Sequence, residues 1–160
     1  MHSHLTTARQ GTMIKHGALV FSGGLLAGLM LTFSLLGHIE VWPIPGQLNI
    51  ELPGTSRAWL RSHLGLILNG IGIWVFMLVG AKILLSEQQQ KLYVISVLIT
   101  AWFNSAGFII GTLFGVHGLH FGGAVANTVT YLFFLVAVIT VVIQVALVLS
   151  GAKQLKAAAN

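Results

Sequence analysis

His63 and Asn69 stand six residues apart where a polar stretch, Arg57 to Ser62, passes into a long apolar run. An imidazole titrates near neutral pH and ligates zinc, iron or copper. A carboxamide donates and accepts hydrogen bonds, so it can orient a polar substrate group. Two guanidiniums, Arg57 and Arg61, precede His63, and their four-residue spacing puts them on one helix face. One imidazole for iron, cations for carboxylates and apolar walls is the set that a haem requires. The spacing alone leaves two readings open: His63 ligates haem iron, or it is an unliganded histidine at a helix start. At about 100° per residue, Asn69 lies about 120° round the helix from His63. The two side chains therefore diverge, toward different parts of one pocket or toward pockets in neighbouring subunits.

Other polar groups are sparse. His2 and His4 lie in a polar amino tail, where solvation is expected; His16 opens the first apolar run and suits the interface. His38, His117 and His120 fall with His63 toward the opposite side. His117-x-x-His120 has a chelating spacing, but its short glycine-rich connection holds no acid. Asn104 shares a face with Thr100, and Asn127, Tyr131 and Gln144 add polarity to the last run. Amides in apolar helices either hydrogen-bond between helices or orient a polar substrate group, and Gln144 is deep enough to need a partner. No acid lies deep in a run, which argues against a proton relay or cation carrier built on intramembrane carboxylates. The repeated histidine clusters of fatty-acid desaturases, a mid-helix lysine for retinal and paired mid-helix histidines for a b-type cytochrome are all missing.

The elements that position these residues are set by lipid. Of 160 residues, 56% are hydrophobic and 7% charged, far below the roughly 25% charge of soluble domains. The acids are Glu40, Glu51 and Glu87, and cysteine is absent, which removes disulfides and thiol metal sites. The net charge of +5 does not indicate nucleic acid, because the basic residues sit at the ends of apolar runs and form no patch. A bilayer core of about 30 Å needs about 20 apolar helical residues. Residues 17–37, 64–85, 92–116 and 124–149 meet this, and open strands cannot span lipid. The expectation is an all-α polytopic protein: one membrane domain, a four-transmembrane-helix bundle, with an extramembrane loop over 38–63. No cleavable signal peptide is expected from the polar start.

Lysine and arginine set the expected topology. Arg9, Lys15, Lys82, Lys91, Lys153 and Lys156 fall on one side, and Arg57 and Arg61 on the other. Both termini are then cytoplasmic. In the loop, Trp42 to Gly46 reads as a rigid turn, Gln47 to Leu52 alternates like a strand or hairpin arm, and Thr55 or Ser56 can cap a helix beginning near Arg57. Trp42 and Trp59 suit the membrane interface. Gly24-xxx-Gly28 and Gly107-xxx-Gly111 fit close helix packing, or a face against which a flat ligand lies. So small a protomer is expected to self-associate.

The chain resembles the styrene oxide isomerases, small bacterial membrane enzymes with four transmembrane helices. The resemblance rests on Lys15-His16-Gly17, on Pro53-Gly54 with Trp59-x-Arg61-x-His63-x-Gly65 and Asn69-Gly70, on Trp102-x-Asn104 with a following Gly107-Phe108, and on Gly118-Leu119-x-Phe121-Gly122. It implies a homotrimer in the bacterial inner membrane, with haem b near the subunit interfaces. It implies that His63 is the iron ligand, with Arg57, Trp59 and Arg61 in the cofactor's surroundings, and that Asn69 points into the substrate pocket. The implied reaction is a Meinwald rearrangement of a small hydrophobic aryl epoxide to an aldehyde. Phe108, Phe103 or Trp102 would face the developing carbocation, and Asn104 would join Asn69. One departure stands out: a tyrosine expected shortly after Trp-x-Asn is replaced by Phe108, Ile109 and Ile110, and Thr100-Ala101 stands where an acid is expected. Tyr131 of the fourth run is the candidate substitute. A haem-binding relative without isomerase activity, and a structural membrane subunit without cofactor, are the alternatives.

Overall fold

The computed structural model describes residues 2–40 and 42–159. Four helices dominate it: α1 (Thr7–Leu36), α2 (Ser56–Gly80), α3 (Glu87–Phe114) and α4 (Val125–Ala158). All four are long and apolar enough to cross a membrane, so the chain is a multi-pass membrane protein. Their outward faces carry large apolar side chains, such as Leu26, Leu68 and Val142, each more than 60% exposed. Lipid is the solvent that makes such faces stable.

Local chemistry sets the helix ends. Thr6, Thr55 and Ser86 cap α1, α2 and α3, each accepting from a backbone N–H three residues on. Ser86 and Gln89 complete a capping box, since the Gln89 carboxamide accepts from the Ser86 N–H. Gly37 and Gly115 close α1 and α3 at φ of 72° and 65°, a left-handed conformation that costs glycine little.

Packing is sequential: α1 against α2, α2 against α3 and α3 against α4, with a lighter α1–α3 contact. Met13, Val20, Leu66, Ile73, Tyr93 and Val97 form the centre of the core. Two small sheets finish the ends. At the end carrying both termini, β1 (His2–Ser3) pairs with β4 (Leu85–Ser86). At the opposite end, β2 (His38–Glu40) and β3 (Gln47–Asn49) form an antiparallel hairpin with Glu40 opposite Gln47. That hairpin is the arm expected from the alternation after Gln47.

The spans differ from the apolar runs in length. α1 begins ten residues before the apolar run that starts at Gly17, α3 begins at Glu87 rather than 92, and α4 runs to Ala158 rather than 149. Helical hydrogen bonding continues where hydrophobicity stops. α2 instead ends at Gly80, short of 85, because Leu85 and Ser86 leave the helix to pair with β1. The amino tail is likewise anchored rather than simply solvated: the His4 ring donates to the Ile83 carbonyl, and the Leu5 side chain is buried.

Candidate functional site

His63 sits in the second turn of α2 and turns toward α1. Its Nδ1 lies 2.7 Å from the Gly24 carbonyl oxygen. A carbonyl only accepts, so Nδ1 is the donor, and an imidazole with one proton then keeps its lone pair on Nε2. A backbone carbonyl on the far ring nitrogen is the usual support of a metal-bound histidine, because it fixes tautomer and ring direction. Glycine makes the approach possible. A Cβ on Gly28 would stand 2.6 Å from Nδ1 and 2.8 Å from Cε1 of His63, and one on Gly24 would meet Ile67. Gly24 and Gly28 are therefore the close-packing surface of α1, with Ile67 packed at the first and the His63 imidazole at the second.

Asn69 faces the other way, toward α3. Its Nδ2 donates to Ser105 Oγ at 3.0 Å, and its Oδ1 accepts from Asn104 Nδ2 at 3.1 Å. Each amide nitrogen keeps a second N–H for another acceptor. Asn104 lines a cleft of about 590 Å³ between α3 and α4 with Phe108 and Tyr131. The Phe108 ring meets Phe134 edge-on at 5.4 Å, and the Tyr131 ring meets Phe121 at 5.9 Å. Asn104, Phe108 and Tyr131 are thus brought together in one cleft with Thr100, and Asn69 joins them through its bond to Asn104.

The cationic residues do not gather round His63 within one protomer. Arg61 Nη1 donates to His117 Nδ1 at 3.4 Å, beside a small cavity of about 130 Å³ that Phe108 and Thr112 also line. Arg57 is exposed at the same end. Trp59 is buried, and its indole N–H donates to the Pro53 carbonyl at 2.9 Å, fastening the loop to the start of α2. His117 and His120 gain no third ligand: among the described residues no three His or acidic side chains cluster as a metal site. His16 accepts from Trp102 Nε1 at 3.0 Å, and Phe103 packs on Phe133, so neither aromatic lines the Asn104 cleft.

Several supporting groups carry little signal in the sequence. Ser105 is the partner of Asn69. Ser62, fully buried, bonds to Thr112 Oγ1 and donates to the Phe108 carbonyl, tying α2 to α3 beside the site. The Gly24 carbonyl has no side-chain signature; only the Gly-xxx-Gly spacing marks its helix face.

The residues present fit a haem on one point that the chain itself shows: the His63 imidazole is held through Nδ1, and its Nε2 makes no hydrogen bond among the described residues. Asn69 and Arg61 project from faces of α2 other than that of His63. A styrene-oxide isomerase from Pseudomonas fluorescens is 29% identical over 111 residues, which is 69% of this chain and 64% of that relative, so the match spans just under two thirds of the relative's length. The family model described as styrene oxide isomerase matches residues 9–153, taking in every candidate residue above, and by that match this chain belongs to the styrene oxide isomerase family.

Proposed function

We propose that the protein is a membrane-bound, haem-dependent epoxide isomerase that rearranges a styrene-oxide-like epoxide to an aldehyde. The observation that carries the reading is His63, with Nδ1–H committed to the Gly24 carbonyl and Nε2 left to bind iron. Family membership supports the reaction class. When bound, ferric haem supplies a Lewis acid with an open position for the epoxide oxygen.

The chain's own residues do the rest. Asn69 and Asn104 hold each other by one hydrogen bond and present their remaining N–H groups to the epoxide oxygen. Phe108 offers an aromatic face to the positive charge that grows at the benzylic carbon. Tyr131 brings a hydroxyl into the cleft that Asn104 lines, in place of the tyrosine missing from α3. The apolar helices keep out water, which would otherwise trap the cation as a diol. A hydride migrates within the substrate, so no reductant is consumed. Because His63 and the Asn69–Asn104 pair open on different faces of α2, about 120° apart, the working form is a homo-oligomer, a trimer by family resemblance, in which one copy's α1–α2 groove faces the next copy's α3–α4 cleft. The protein sits in a bacterial inner membrane with both termini cytoplasmic, in accord with the lysine and arginine distribution.

The test is an absorption spectrum of detergent-purified protein beside His63→Ala, followed by styrene oxide without reductant. A Soret band lost in the variant, with phenylacetaldehyde formed by the wild type, is expected. A His63-dependent band without aldehyde would leave a haem protein of other function. No band after haem-supplemented expression would sink the haem reading.

A further inference from the structure

Gln144 lies midway along α4, 2% exposed, and among the described residues its side-chain oxygen has no hydrogen-bond partner. Other buried polar groups are partnered: Thr140 bonds to Thr100, and Ser105 bonds to Asn69. A desolvated carboxamide without a partner is unfavourable and calls for an occupant.

The space beside it is a cavity of about 310 Å³ between α2, α3 and α4, lined by Gln144, Asn69, Thr100 and Asn104. Its middle is apolar, with Ile73, Phe76, Ala101 and Val141. It meets the α3–α4 cleft at Thr100, Asn104 and Val141, which line both. The Thr100–Thr140 bond sets the level of α3 against the antiparallel α4. Gln144 is one turn beyond Thr140 in one direction, and Asn104 is one turn beyond Thr100 in the other. Eight residues of helix separate their levels, about 12 Å at ~1.5 Å per residue. The cavity is therefore polar at both ends and apolar between, apart from Thr100, whose hydroxyl is held by Thr140.

We propose that Gln144 is a specificity-determining residue that receives a hydroxyl carried by the substrate's aryl ring opposite the epoxide. This rests on the isomerase reading above. A hydroxyl both donates and accepts, so it complements a carboxamide in either orientation. The aryl ring fills the apolar middle, and the epoxide lies at the Asn69–Asn104 end.

The test compares kcat/KM of the haem-loaded wild type for 4-(hydroxymethyl)styrene oxide and the similarly sized 4-ethylstyrene oxide, corrected for partition into the micelle. A preference of about tenfold for the hydroxylated epoxide is expected, from one hydrogen bond made to an otherwise unpartnered group. In Gln144→Met the ratio should fall to near one, and in the shorter Gln144→Asn to an intermediate value. A wild-type ratio within twofold of one overturns the proposal and leaves water as the occupant. A preference that survives Gln144→Met or Gln144→Asn unchanged overturns it as well. If neither variant accumulates, the wild-type ratio decides. A wild type that converts neither epoxide overturns the isomerase reading, and this proposal with it.

Discussion

Gly28→Ala should loosen the proposed haem without unfolding the protein. The added methyl would stand 2.6 Å from His63 Nδ1. An ordinary non-bonded approach is about 3.5 Å, so the ring must retreat by roughly 0.9 Å. The Nδ1–H···O bond to Gly24, now 2.7 Å, then stretches to about 3.6 Å, beyond hydrogen-bonding range. Loss of such a supporting bond weakens metal binding by about 10–100-fold, equivalent to roughly 1.4–2.7 kcal/mol. Alanine favours a helix over glycine by about 1 kcal/mol, so backbone propensity acts in the opposite direction. The assay is a haemin titration of apo-protein in detergent, read at the Soret band, with circular dichroism as the fold control. Gly11→Ala is the matched control, because a methyl at Gly11 meets nothing within 4 Å. Gly28→Ala with wild-type affinity, beside a His63→Ala that binds no haem, would refute the argument that α1 sets the ring. An equal loss in Gly11→Ala would show that any added bulk in α1 has the same effect.

Asn104→Leu cuts the amide pair and should lower kcat/KM for styrene oxide by about 10²-fold while leaving the Soret band in place, as expected for a lost donor at the reacting oxygen. An unchanged rate would remove Asn104 from the site. Gln90→Leu removes the buried amide that bonds Arg9, Ser3 and Leu85. Hydrogen exchange at residues 2–5 should accelerate while exchange in the middle of α3 stays slow; uniform change along the chain would contradict a local clamp. Ser62→Ala leaves Thr112 its own bond to the Ala58 carbonyl, so the cost should be about 1 kcal/mol, seen as a modest drop in thermal midpoint in detergent. A drop several times larger would mean that Ser62 holds more than the α2–α3 contact.

The number of spans and their helical nature were determined by the sequence, because hydrocarbon satisfies no backbone group and leaves an apolar segment one structure to adopt. Cap residues were equally local: Thr55 starts α2 by accepting from its own next turn, which requires no distant contact. The capping box at Ser86 was present in the spelling Ser86-x-x-Gln89, yet hydropathy alone placed the start of α3 five residues late. The anchoring of the amino tail was beyond local reading, since β1 pairs with Leu85 and Ser86 across more than eighty residues. The site divides in the same way. That His63 and Asn69 diverge follows from helical geometry, whatever surrounds them. What each one meets was decided by tertiary structure alone. The approach of α1 gives His63 the Gly24 carbonyl and so selects which nitrogen is free, and α3 supplies Ser105 and Asn104 to Asn69. A side chain's chemical type is written in one residue, but its protonation, partner and direction depend on groups that only packing brings within about 3 Å.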